Sequence, residues 1–119
     1  MDFPLKTKEE LLTFDKQLEN DDFKRDMIDL LANTGGRDIS ALTINILSRV
    51  MVDEVATNFS FKGKYRKAPF SSLRLTECIM AAVMRTFPEA TEIFIESKIG
   101  AWLVNAQFRQ ANREQKLKK

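Results

Sequence analysis

The sequence predicts an all-α fold: a compact bundle of about five helices with a basic loop between the third and the fourth. Three observations carry this reading. Apolar residues recur at three- and four-residue spacing along most of the chain, residues that favour helix starts stand before each such stretch, and Gly35, Gly36, Gly63 and Pro88 fall between stretches. A chain of 119 residues, 44% hydrophobic and 30% charged, is long enough for one core and too apolar for intrinsic disorder.

The first helix starts at Thr7, followed three residues on by Glu10, the spacing of a capping box in which each side chain satisfies the other residue's free backbone N–H. Leu11, Leu12, Phe14 and Leu18 form its apolar stripe. Asn20 and Asp21 end it and cap a second helix with the stripe Phe23, Met27, Leu30 and Leu31. Gly35 and Gly36 then punctuate the chain, and Asp38 or Ser40 caps a third helix expected to reach about Ala56. Ile39, Leu42, Ile46, Leu47, Val50 and Met51 make that helix apolar around much of its circumference, as for the central helix of a core.

Residues 58–72, NFSFKGKYRKAPFSS, read as a loop in which Lys62, Lys64, Arg66 and Lys67 alternate with Phe61 and Tyr65. FSFKGKYRK also admits a short hairpin, but two edge strands are marginal alone in water. A fourth helix over about Ser72 to Phe87 buries Leu75, Ile79, Ala82, Val83 and Phe87, and Pro88 stops it. Thr91 caps a fifth, with the stripe Ile95, Ile99, Trp102, Leu103 and Ala106, expected to fray in the polar tail QANREQKLKK. The organisation expected is therefore an acidic helical hairpin over 1–36, a helical core over 37–113 and a basic frayed tail over 114–119, all one folding unit.

Composition removes several classes of function. The chain has no histidine and a single cysteine, Cys78, so it can build neither a zinc site nor an intrachain disulfide. Cys78 sits among Thr76, Ile79 and Met80 as a buried small hydrophobe would. GxGxxG, phosphate-loop and GxSxG patterns are absent, and Glu92 and Glu96 stand where acidic residues stabilise a helix start. The expectation is a chain that is no enzyme and takes no cofactor, metal or small-molecule substrate. Its apolar runs fall far short of the roughly 20 residues that span a bilayer, and MDFPLKTKEELL lacks the apolar centre of a signal peptide. A cytosolic or nuclear protein without a membrane partner is expected.

The net charge of +2 hides an asymmetry. Residues 1–58 hold seven basic and twelve acidic side chains, net −5, whereas residues 59–119 hold twelve and five, net +7. Clustered cations create a positive local potential and hint at nucleic acid or an acidic partner. They gather in the loop from Lys62 to Lys67 and along the last helix and tail at Arg109, Arg113, Lys116, Lys118 and Lys119. A helix carrying paired arginines fits a major groove while a basic loop holds neighbouring phosphates; a solvated loop and a solubilising end explain the same residues without a ligand.

The segments FPLKTKEELLTFDKQLEN, TGGRDI, ILSRVMVDEVATNFSFKGK and RTFPEATEIFIESKIGAWLVNAQFR resemble an uncharacterised domain family, a domain of unknown function common in arthropod and cnidarian proteins of transposon-associated type. The second half is also similar, more distantly, to the BEN domain, through ILSRVMVDEVA, FSFKGK, LRLTECIMAAVMRTFP and a last helix. That likeness implies a BEN-like helical module of a nuclear, chromatin-associated or transcription-regulating protein. It implies binding of double-stranded DNA through the loop residues Lys62, Lys64, Arg66 and Lys67 and through Asn105, Arg109 and Arg113 of the last helix, to which the charge cluster of the tail adds Lys116 as an expected contact. The acidic hairpin departs from the minimal BEN pattern. The alternative is a protein-interaction or self-association module, a homodimer among others, using an exposed apolar patch drawn from Phe3, Phe14, Phe59, Phe61, Tyr65 and Phe70.

Overall fold

The computed structural model describes residues 3–117, so Lys118 and Lys119 of the basic tail lie outside the described residues. Helix α1 spans Lys8–Gln17 and starts where Thr7 Oγ1 accepts the Glu10 N–H at 3.0 Å. The return half of the capping box lands one residue early, because the Glu10 carboxylate accepts from the Lys6 N–H at 3.1 Å. Leu11, Phe14 and Leu18 are buried, while Leu12 of the expected stripe faces solvent. Asn20 Oδ1 accepts the Phe23 N–H at 3.0 Å and opens α2, Asp21–Ala32, which buries Met27 and Leu31 and leaves Leu30 at the surface. Phe14 meets Phe3 and Phe23 edge-on, with ring centroids 5.5 and 5.9 Å apart, and so fastens the start of the chain to both helices.

Gly35 takes the left-handed backbone (φ 89°), and a Cβ on Gly36 would lie 2.5 Å from the backbone nitrogen of Leu42. This double glycine lets the chain turn tightly against the first turn of α3, Ile39–Val50, capped by Asp38, whose Oδ1 accepts the Ala41 N–H at 2.8 Å. The third helix was expected to continue to Ala56. It ends six residues sooner because the chain start intervenes: the Leu5 N–H donates to the Val50 carbonyl at 2.7 Å, and the Leu5 carbonyl accepts from the Val52 N–H at 3.1 Å. Met51 is extended there (φ −143°, ψ 152°), and a single new turn, α4, covers Asp53–Ala56.

Strands β1, Phe59–Ser60, and β2, Ala68–Pro69, pair in parallel, with Phe59 opposite Ala68. The hairpin that FSFKGKYRK admits is therefore not formed. Parallel neighbours commonly need a crossover of a dozen or more residues, yet here seven suffice because Gly63, Tyr65 and Arg66 all adopt positive φ. A 3-10 turn, Phe70–Ser72, leads into α5, Arg74–Thr86. No residue beside the start of α5 caps it with a side chain. Asp15 does so from α1: its buried carboxylate accepts the Leu75 N–H at 2.8 Å and the Arg74 N–H at 3.2 Å. Helix α6 spans Glu92–Leu117, with Thr91 Oγ1 accepting the Phe94 N–H at 3.2 Å. At 1.5 Å per residue it is about 39 Å long.

The apolar sides of the hairpin α1–α2, of α3 and of α5 and α6 close on one core. Leu11, Phe14, Leu18, Met27 and Leu31 of the acidic hairpin lie in that core with Leu42, Ile46, Ile79, Val83, Ile99 and Leu103. The hairpin stripes are thus filled by the chain itself. Replacing Asp15 by alanine would leave the buried Leu75 N–H and the partly buried Arg74 N–H without an acceptor at the start of α5, and we expect a loss of about 2 kcal/mol. Urea unfolding of Asp15→Ala checks this; an unchanged midpoint would show that α5 needs no cap from α1.

Candidate nucleic-acid interface

The loop between β1 and β2 is held by the last residue of β1. Ser60 Oγ accepts the Lys64 N–H at 2.7 Å, the Lys67 N–H closes onto the Lys64 carbonyl at 3.1 Å, and Phe61 packs against the core. Tyr65 (φ 58°) and Arg66 (φ 64°) are consecutive side-chain-bearing residues in the left-handed region, a backbone that costs roughly 1–2 kcal/mol per residue. Its effect is to turn both outward: Tyr65 is 89% exposed, and Lys62, Lys64 and Arg66 are exposed, with Lys67 half-buried. Among the described residues, none of these four cations pairs with a carboxylate. A cleft of about 550 Å³ separates the loop from α6, lined by Phe61, Lys62, Lys64, Tyr65 and Lys67 on one side and Gly100, Val104 and Gln107 on the other.

The arginines of α6 are differently placed. Arg109 Nε donates to Asp53 Oδ1 at 3.0 Å, its Nη2 lies 2.9 Å from the same oxygen, and its guanidinium covers the Trp102 ring at 4.3 Å. Arg113 donates to Asp53 Oδ2 and, at 3.1 Å, to Glu54 Oε1, and Gln110 reaches the same Glu54 oxygen at 3.3 Å. These contacts to α4 accompany the helix well into the tail in which it was expected to fray. Burial alone would push the Asp53 carboxyl up, but the hydrogen bonds and charges of Arg109 and Arg113 outweigh it and hold it below its ordinary value. Asp53, chiefly through its hydrogen bond, and Glu54 in turn raise the Arg113 guanidinium above its ordinary value.

The expected site residues therefore form two groups. At 100° per residue, Val104 on the loop side and Arg109 project about 140° apart around α6. Asn105 and Lys116, both exposed, fall within about 40° of Arg109. The picture of a groove-reading helix with two unpaired arginines is corrected: Arg109 and Arg113 are engaged by Asp53 and Glu54, because a buried carboxylate at the start of α4 needs cationic partners. This is part of a wider pattern. Arg74 pairs with Asp15 and Glu19, at 3.6 and 2.8 Å, and Arg85 pairs with Asp29. Of the arginines in the basic half, Arg66 alone pairs with no carboxylate among the described residues.

Of the aromatics considered for an apolar patch, Phe14, Phe59 and Phe70 are buried and Phe3 and Phe61 partly so, leaving Tyr65. Exposed large apolar side chains stand instead on α6, at Ile93, Phe94, Val104 and Phe108, and singly at Leu12, Leu30 and Ile44; the inward stripe of α6 gives no signal for those on its outer side. Among the described residues no three His, Cys, Asp or Glu side chains gather where they could hold a metal ion, and no helix is long and apolar enough to cross a membrane. Cys78 is buried, and burial pushes its thiol up to about 11.

A family model described as a domain of unknown function (DUF4806) matches residues 1–82, well over half of the chain, and the chain belongs to that family. The match takes in the hairpin, the loop and most of α5, while α6 lies beyond it. No curated protein and no solved structure matches the chain.

Two outcomes are expected. With Asp53 held below its ordinary value of 3.8 in the folded state, its contribution to stability is fully present above that value and is lost as pH falls through the lowered one. Thermal melts between about pH 7 and pH 3 should show a shallower acid loss for Asp53→Asn than for the unchanged chain, from a lower starting stability; parallel curves would dissociate Asp53 from acid unfolding. The Cys78 thiol should react with a disulfide reagent at pH 7 only as fast as the chain unfolds, and rapid labelling of folded protein would contradict its burial.

Proposed function

We propose that this member of the DUF4806 family is a non-catalytic module that binds double-stranded DNA through the loop carrying Lys62, Lys64, Arg66 and Lys67, in the nucleus and as part of a chromatin- or transposon-associated protein. One observation carries the reading: the arginines of α5 and α6 are spent on ion pairs within the fold, whereas the four loop cations have no carboxylate partner among the described residues and surround an exposed tyrosine. Unpaired cations on a shaped loop match a phosphate backbone, which carries one negative charge per roughly 1.7 Å of duplex axis. Lysines act there as point charges, Arg66 offers a fork to phosphate oxygens, and the Tyr65 hydroxyl is a further donor. Asn105 and Lys116, on another side of α6, are secondary contacts in this scheme. Arg109 and Arg113 act through the position of α6.

The resemblance of the second half to the BEN domain supports the same reading, since several BEN domains bind DNA with a C-terminal helix and nearby loops. Such contacts fix position on the duplex and leave sequence choice to other groups. The test is fluorescence anisotropy of a labelled random duplex over a salt series. Lys62→Ala/Lys64→Ala/Arg66→Ala should weaken binding by about tenfold or more near 50 mM salt and reduce the slope of log affinity against log salt by about 3. A triple variant that binds like the unchanged chain, or an unchanged chain that fails to bind at low salt, overturns the proposal.

A further inference from the structure

The two walls of the cleft between the β1–β2 loop and α6 differ in kind. The loop wall carries Lys62, Lys64 and Lys67 beside the Tyr65 ring, and no carboxylate lines the cleft among the described residues. The helix wall is uncharged: Val104, 54% exposed, and the exposed amide of Gln107 stand beside Gly100. The glycine has no reason in the packing of the chain. A Cβ there would stand 3.7 Å from the Phe61 Cβ, an ordinary contact, so alanine fits, and glycine weakens a helix interior relative to alanine. What the bare position provides is a stretch of open helix backbone on the wall opposite an exposed aromatic ring.

We propose, on the nucleic-acid reading of the loop, that this cleft takes one unpaired base of the nucleic acid whose phosphates the loop holds. An aromatic ring and an apolar wall set in a cationic surface are the parts with which proteins hold unstacked bases, the ring stacking on the base and the cations following the backbone. Gln107 has both a donor and an acceptor for a base edge. A volume of about 550 Å³ lies within the roughly 300–1,000 Å³ of clefts that hold small molecules. An acidic peptide would satisfy the lysines, but its carboxylates gain nothing from the face of Tyr65, where the π electrons present negative charge. A base meets that ring face to face and carries its charge on the phosphate, away from the stack.

Fluorescence anisotropy with two labelled duplexes of one sequence, one fully paired and one with a single extra unpaired nucleotide near its centre, tests this. The bulged duplex should bind about fivefold more tightly or better, since its base is already out of the stack. Val104→Trp, which fills the cleft at an exposed position without changing charge, and Tyr65→Ala should bring the two affinities together. Tyr65→Phe, which keeps the ring, and Phe108→Ala, exposed on α6 outside the cleft, should keep the preference. A second measurement needs no variant: 5-iodouracil as the unpaired base should cross-link on irradiation to Tyr65, located by mass spectrometry of the digested chain. Equal affinity for the two duplexes, a preference that survives Val104→Trp, or cross-links confined to residues outside the cleft each overturns the proposal and leaves duplex binding by the loop in place. A chain that binds neither duplex, whether or not it binds a labelled acidic peptide instead, overturns both.

Discussion

Much of this structure depends on the burial of one carboxylate. Asp53 is only 8% exposed, and an ionised group so placed is stable only if opposite charge is brought to it. Arg109 and Arg113 do this from a helix more than fifty residues further on. To receive them, Asp53 has to stand at the start of a new turn, which requires α3 to stop at Val50. The break is made by Leu5, whose backbone occupies the hydrogen-bonding groups of Val50 and Val52. The start of the chain, its middle and the far half of α6 are thereby fixed to one another at a single place.

The same logic explains why the charge asymmetry between the halves is a poor guide to a ligand unless the pairs are known. Cations and anions separated in sequence are recombined in space, with Asp15 and Glu19 on Arg74, Asp29 on Arg85, and Asp53 and Glu54 on Arg113. Arginine suits these inner contacts because its fork addresses two acceptors at once. Lysines fill the loop instead. What marks the loop is thus four cations close together with no carboxylate partner among the described residues, a property of the folded chain.

Local physics made much of the fold legible. The caps at Thr7, Asn20, Asp38 and Thr91, the double glycine and Pro88 bracket four of the five expected helices, and the all-α class follows from them. Long-range hydrogen bonds account for most of what was missed. Nothing near Met51 in sequence marks an end to α3, because the interrupting group is Leu5; nothing beside Arg74 caps α5, because the cap is Asp15. The parallel pairing of β1 and β2 escaped because left-handed backbone at tyrosine and arginine has no compositional signal. Of the candidate site, the loop cations were legible as a cluster, whereas the engagement of Arg109 and Arg113 required the position of Asp53.

The left-handed pair at Tyr65 and Arg66 bears on how the loop would meet a partner. A flexible basic loop loses conformational entropy on contact, and that loss offsets part of the attraction its charges provide. Here the backbone at both residues is already confined, with Ser60 holding the turn from inside. The confinement is imposed when the chain folds, so little backbone freedom remains to be lost on association. Encounter would then be governed by diffusion and long-range attraction, with no slow rearrangement of the loop between collision and capture.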